Sequence, residues 1–182
     1  MGEFSVRPAR PGDLSAIRQL FAELNYLQRG WRVFPPRESL VEQMEERYRW
    51  AIEGSDPGSC LVVACEGEEV VGMALGRSEH PSTMSDEAAL ELSSVVVHPS
   101  HRGRGIAKAL VSDVASFARR RGLRMIVLKT FVQNEAALRA WERLGFQPRI
   151  LQMVAPADAF GRSQPSPPRA EAKPLGSDRQ DA

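Results

Sequence analysis

Cysteine is scarce: Cys60 and Cys65 are the only two in 182 residues. Two thiols build neither a disulfide framework nor a cysteine-based zinc site. Histidine is scarce too, and His80, His98 and His101 come without carboxylate or cysteine at ligand spacing, so no metal is expected. Long apolar runs are missing. No window reaches the ~18 apolar residues of a membrane span, so no membrane partner is expected. The N-terminal MGEFSVRPAR has no apolar stretch that reads as a secretory signal. Net charge is nearly absent, +1 from 24 Lys+Arg against 23 Asp+Glu, which leaves no polyelectrolyte drive toward nucleic acid. The expected setting is a soluble, reduced, cytoplasmic protein.

What is present is a strong layout of charge. Residues 38–91 carry 3 basic and 13 acidic side chains, and residues 98–129 carry 8 basic and 1 acidic. The basic stretch lacks the aromatic interleaving of a single-strand stacking platform, so a nucleic-acid partner is not expected. At 182 residues one domain is the prior. The segment 161–182 holds four prolines and a single large apolar residue, Leu175. It cannot bury enough surface to offset chain entropy, so it reads as a disordered Pro/Ser-rich tail behind a folded body, 1–160.

Periodicity divides that body. Glu3–Pro8 reads as a strand, and Asp13 as the N-cap of a helix bearing Ile17, Leu20, Phe21 and Leu24 at helical spacing. Leu40, Met44 and Tyr48 space a second helix. Cys60–Cys65 and Val70–Leu75 form a hairpin around Glu66-Gly67-Glu68-Glu69. Ala88–Val97 is a further strand. Ile106, Leu110, Val114, Phe117 and Ala118 mark a third helix. Met125–Phe131 reads as a buried strand, Ala136–Leu144 as a helix, and Phe146–Val154 as extended. The order β-α-α-β-β-β-α-β-α-β implies an α/β fold with a mixed, mostly antiparallel sheet and flanking helices.

The most informative stretch is Ser94–Lys108, SVVVHPSHRGRGIAK. An apolar strand enters a proline-containing turn and then Arg102-Gly103-Arg104-Gly105, which opens a helix. Glycines let the backbone approach a ligand, and a helix N-terminus flanked by arginines favours a diphosphate; the competing reading is a helix start whose glycines serve tight packing. The spacing is neither that of a P-loop nor that of a Rossmann fingerprint.

This segment resembles motif A of the GCN5-related N-acetyltransferase (GNAT) superfamily, [QR]-x-x-G-x-[GA] after a V-x-P strand end. Arg102, Gly105 and Ala107 fill it, with Val97 and Pro99 upstream. Asn134-Glu135-Ala136-Ala137 and then Gly145-Phe146 resemble a second family segment. The resemblance implies a GNAT fold whose sheet splays at a cofactor cleft. It implies an acetyl-CoA-dependent N-acetyltransferase acting by direct attack of a primary amine, on a small molecule or a protein. By position, main chain of Val95, Val96 and Val97 would meet the pantetheine arm. Main-chain N–H groups of Gly103, Arg104, Gly105, Ile106, Ala107 and Lys108 would cradle the diphosphate, and Asn134 would contact the arm. Family members often form dimers, so a homodimer is an expected partner.

Two family positions do not match. The tyrosine that often follows the asparagine by seven residues is Trp141, whose indole is no acid. A glutamate used by some members five residues before the asparagine is Lys129. Glu91 then becomes the candidate base. Alternation turns it away from Leu90 and Leu92, with Ser93 two residues on; the competing reading is a solvated strand carboxylate. Either tyrosine, Tyr26 or Tyr48, could reach the leaving sulfur. Tyr26 and Trp31, at the loop between the first two helices, either bind acceptor or cap the core. A second function class, an acyl-CoA-binding sensor with little turnover, is supported by the missing tyrosine and opposed by the retained Glu91 and the intact motif A.

Overall fold

The computed structural model describes residues 3–79 and 88–160. The expected tail 161–182 and the connection at His80–Pro81 lie outside the described residues. Strands β1 (Ser5–Pro8), β2 (Ser59–Glu66), β3 (Glu69–Glu79), β4 (Ala89–Val97) and β5 (Ile126–Val127) form one sheet in the order β1-β2-β3-β4-β5. The first four are antiparallel, and β5 joins β4 in parallel. Helices α1 (Leu14–Gln28) and α2 (Leu40–Glu53) cover one face, and α3 (Ile106–Arg120) covers the other; α4 (Glu135–Arg143) follows β5.

Alternation along the strands feeds two apolar layers. Leu61, Val63, Met73, Leu75 and Val96 meet Ile17, Leu20, Phe21, Met44 and Tyr48 of α1 and α2. Val62, Ala64, Ala74, Leu90 and Leu92 meet Ile106, Leu110, Val111 and Val114 of α3. Close approach of α3 depends on a side-chain-free point on β3. A Cβ at Gly76 would stand 2.7 Å from Val114 Cγ1 and 2.9 Å from Leu90 Cδ2.

Two strand expectations are corrected, and one helix-start expectation is refined. Asp13 stands at the N-cap position of α1, but its side chain makes no cap hydrogen bond there. Its buried carboxylate instead takes Arg7 Nη1 and Nη2 at 2.7 and 2.9 Å and the Arg10 N–H at 2.7 Å. The ion pair with β1 outcompetes the cap, and Arg7 holds this carboxyl below the usual range. The strand expected over Met125–Phe131 pairs only at Ile126–Val127, and Met125 and Val127 are exposed, as on a sheet edge. The strand expected over Phe146–Val154 does not form. Residues 148–156 are irregular, followed by a 3-10 turn at Ala157–Phe160, with Ile150, Leu151 and Met153 exposed. A strand needs a ladder to join, and Pro148 removes a donor at its start. Among the described residues, no helix is long and apolar enough to cross a membrane.

Candidate active site

The site is made by two interruptions in β4. The first is a bulge. Leu75 pairs with Ser94 but Gly76 pairs with Leu92, leaving Ser93 without a partner in the ladder. The extra residue exchanges the faces of the strand. Before it, Leu90 and Leu92 face α3; after it, Ser94 approaches Tyr48 and Val96 packs on the α1–α2 side. Ser93 is exposed, its hydroxyl 3.5 Å from Leu75 O, so the simple alternation that paired it with Glu91 is broken.

The second interruption is the end of the β4–β5 ladder. Only Leu90–Ile126 and Glu91–Val127 pair, while β4 runs on to Val97. His98 N–H donates to Val71 O at 2.9 Å, which fixes the alternation toward β3. Val96 therefore directs its main chain to β3, and Val95 and Val97 direct theirs to the open side. This gap is the splay anticipated above.

At the top of the gap the chain turns through Pro99–His101 into α3. Gly103 and Gly105 take φ of +77° and +82°, a region costly for residues with a Cβ. A Cβ on either would meet no atom within 4 Å, so the space above the turn is open. Ala109 N–H is bonded to Gly105 O at 3.1 Å, and helix geometry leaves the N–H groups of the preceding first turn without intrahelical acceptors. Open space beside main-chain N–H groups at a helix N-terminus suits a diphosphate. The arginines are less free than the sequence implied. Arg102 Nε donates to Val97 O at 3.1 Å, and Arg104 forks the carboxylate of Glu66. A groove of about 360 Å³ runs beside α3, with Lys108 and Arg143 on its walls.

Below the cradle, Glu91 is recessed, its side chain 13% exposed, and its Oε1 lies 3.2 Å from Lys129 Nζ. The lysine that replaces a family glutamate is thus next to the candidate base. Asn134 Oδ1 accepts the Ala137 N–H at 3.1 Å and caps α4. Trp141 stacks edge-on with Phe146 at 5.6 Å against the α3-side core. Tyr48 is buried, its hydroxyl 3.4 Å from Ser94 Oγ, and burial pushes its phenol well above the ordinary value. It belongs to the core and is no proton donor to a ligand. Tyr26 is exposed beneath the Arg29 guanidinium, 4.0 Å from its ring centre. Trp31 instead reaches Phe131 on the β5–α4 connection, ring centres 6.1 Å apart. Phe131 escaped sequence reasoning because it closed an apolar run that read as a strand. Burial raises both thiols, Cys60 to about 11, so neither is a poised nucleophile. Among the described residues no cluster of metal-ligating side chains occurs.

Comparison with known proteins places the sequence and the fold in a family. Residues 22–146 match the Acetyltransferase (GNAT) family. The chain is 43% identical over 95 residues to N-acetyltransferase 8B of Rattus norvegicus, covering 51% of this chain and 41% of the relative. It is 37% identical over 124 residues to N-acetylaspartate synthetase of Xenopus tropicalis, covering 65% of this chain and 44% of the relative. The chain thus spans less than half the length of either relative. Among solved structures, an aminoglycoside N-acetyltransferase, AAC(6')-Iy, in complex with CoA superposes with a TM-score of 0.69 at 18% identity, covering 86% of this chain and 95% of that one.

Proposed function

The chain belongs to the acetyltransferase (GNAT) family, and from that premise we propose that it transfers an acetyl group from acetyl-CoA to a primary amine by direct attack. The observation that carries this reading is the open glycine cradle at the N-terminus of α3, set where β4 loses β5 as a partner. Acetyl-CoA supplies an activated thioester, whose thiol, of pKa about 8.5, is a tolerable leaving group. Main-chain N–H groups from Gly103 to Lys108 hold the diphosphate. Open-side main chain of Val95 and Val97 meets the amide-rich arm, and Val95 N–H is the candidate donor to the developing oxyanion. Asn134, its oxygen spent on the helix cap, offers its amide nitrogen to the arm. Lys108 and Arg143 suit the remaining phosphate.

An alkylamine has a pKa near about 10.4, so it must lose a proton before attack. Glu91 is the group assigned to take it. Trp31, with Phe131, forms the wall on the acceptor side, and Tyr26 lies at its rim. One relative is named for an amino-acid product, so aspartate and other amino acids belong beside polyamines and peptide N-termini on the first panel of amines.

The test is release of CoA thiol with acetyl-CoA and that panel, for the natural chain and Glu91→Gln. Loss of a positioned base lowers turnover by about 10² to 10⁴, with acetyl-CoA affinity nearly unchanged. An unaltered pH–rate profile removes Glu91 from this assignment. The packed Trp141 and buried Tyr48 leave no tyrosine acid in the gap, which favours a second reading, an acyl-CoA sensor. Binding of acetyl-CoA without thiol release to any amine selects it.

A further inference from the structure

Glu66 ends β2 at the hairpin to β3, and its carboxylate reaches the turn that precedes α3. Arg104 Nη1 donates to Oε2 at 2.9 Å, and Nη2 to Oε1 at 3.1 Å. His101 Nε2 lies 3.1 Å from the same Oε2. One carboxylate thus grips residues on both sides of Arg102 and Gly103. Gly103 and Gly105 are the positions with most conformational freedom in the turn, so an external tie decides where their N–H groups point. His101 is itself tethered. Ser100 Oγ is 2.8 Å from His101 Nδ1 and 2.7 Å from His98 Nδ1. A hydroxyl has one proton to give, so it serves one ring and accepts from the other. With both rings neutral and His101 donating to Glu66, Ser100 donates to His101 and His98 donates to Ser100. The chain of hydrogen bonds runs from the end of β2, through the turn, to the end of β4.

We infer that Glu66 is a positioning residue for the diphosphate cradle: through His101 and Arg104 it fixes the loop so that the N–H groups from Gly103 onward converge. This rests on the acetyl-CoA reading of that loop. Simple charge arithmetic says the opposite of Glu66. A carboxylate near a polyanion repels it, and its removal would tighten binding. Arg104, the principal hydrogen-bond donor, keeps the Glu66 carboxyl below the ordinary range, which favours the ionised form that makes the grip.

The experiment is calorimetric titration of acetyl-CoA into the natural chain and Glu66→Gln. The substituted side chain keeps the shape, loses the charge and turns an amide N–H₂ toward a guanidinium. Positioning predicts affinity weakened about tenfold or more, the scale of lost charge-assisted hydrogen bonds. It also predicts a raised KM for acetyl-CoA, with kcat at saturation and the KM for amine held. Unchanged or tighter binding overturns the inference. His101→Gln, titrated at low and high salt so that any effect of charge is read separately, serves if Glu66→Gln fails to fold. It removes the ring that ties Glu66 to Ser100, so weakened binding at both salts supports the inference and unchanged binding overturns it. Should the natural chain itself not bind acetyl-CoA, the reading of the cradle fails; binding by the natural chain with no loss in the variants fails Glu66 alone.

Discussion

Gly105 separates backbone geometry from ligand electrostatics in one position. It holds φ +82° and ψ 0° as the N-cap of α3, and a Cβ there would meet nothing within 4 Å. Gly105→Ala therefore creates no clash, and its cost is the left-handed conformation, about 1–2 kcal/mol. For a chain of this size each kcal/mol lowers Tm by about 2–4 °C, so a fall of roughly 2 to 8 °C is expected. Gly105→Asp costs no more, because aspartate tolerates this conformation better than alanine. It does place a carboxylate at the mouth of the cradle. Two unit charges about 5 Å apart interact by roughly 3 kcal/mol at an effective dielectric of about 20. Screening at an open site reduces that to roughly 1–2 kcal/mol, or about 5- to 30-fold in acetyl-CoA affinity. The two substitutions thus rank oppositely. Alanine is at least as destabilising to the unliganded fold, and aspartate is worse for the ligand. Thermal unfolding without ligand gives the first ranking, and calorimetry at low and high salt gives the second, with the aspartate deficit shrinking as salt rises. Equal acetyl-CoA affinities for the two variants would mean that no anion approaches Gly105, and the cradle would have been misread.

Gly76→Ala drives a methyl to 2.7 Å from Val114 Cγ1 and 2.9 Å from Leu90 Cδ2; overpacking of this kind costs about 1–3 kcal/mol, read as a lower denaturant midpoint at unchanged slope. Asp13→Asn weakens the fork with Arg7 and destabilises by roughly 2 kcal/mol at neutral pH. Because the folded carboxyl is held below its ordinary value, that contribution is full above about pH 4, the unfolded value, and fades as pH falls toward the folded one. The stability difference between the two proteins should close below about pH 4, and a difference that stays constant through strong acid contradicts the ion-pair account. Cys60 and Cys65, with thiols raised by burial, should resist alkylation at neutral pH in the native protein and react on unfolding. Rapid labelling of the native chain contradicts their placement in the sheet.

Helix stripes were legible because their faces are unambiguous: Ile106, Leu110 and Val114 are buried as their spacing demands. The sharp turn into α3 was legible because Gly103 and Gly105 follow a proline turn and stand at positive φ, where a Cβ is costly. The bulge at Ser93 was not, since Glu91-Leu92-Ser93-Ser94 reads equally well as unbroken alternation. Only the pairing of β3 with β4 reveals the extra residue. Asp13 does stand at the N-cap of α1, but its ion pair was not legible, because a cap and an ion pair ask for the same residue type and Arg7 takes the carboxylate. The last strand failed for a non-local reason. Its apolar residues suit a sheet, but pairing depends on a neighbour, and β5 is only 2 residues long.

Charge shows most clearly why the linear order misleads. The acidic stretch 38–91 and the basic stretch 98–129 suggest two separate fields, one for an amine and one for a polyanion. In the fold they interlock at two points of the candidate site: Glu66 closes on Arg104 and His101, and Glu91 on Lys129. Arg104 is already paired with Glu66, so on the acetyl-CoA reading attraction of a diphosphate would rest chiefly on oriented N–H groups, with Arg102 and Lys108 adding net charge. Oriented dipoles act at short range and depend on geometry, whereas net charge acts at long range and depends on salt. Acetyl-CoA affinity should accordingly fall less with salt than a strongly basic surface would produce, and more with any change that lets the turn from His101 to Gly105 relax. A steep salt dependence together with indifference to Glu66→Gln would reverse that ordering and return the site to a simple basic patch.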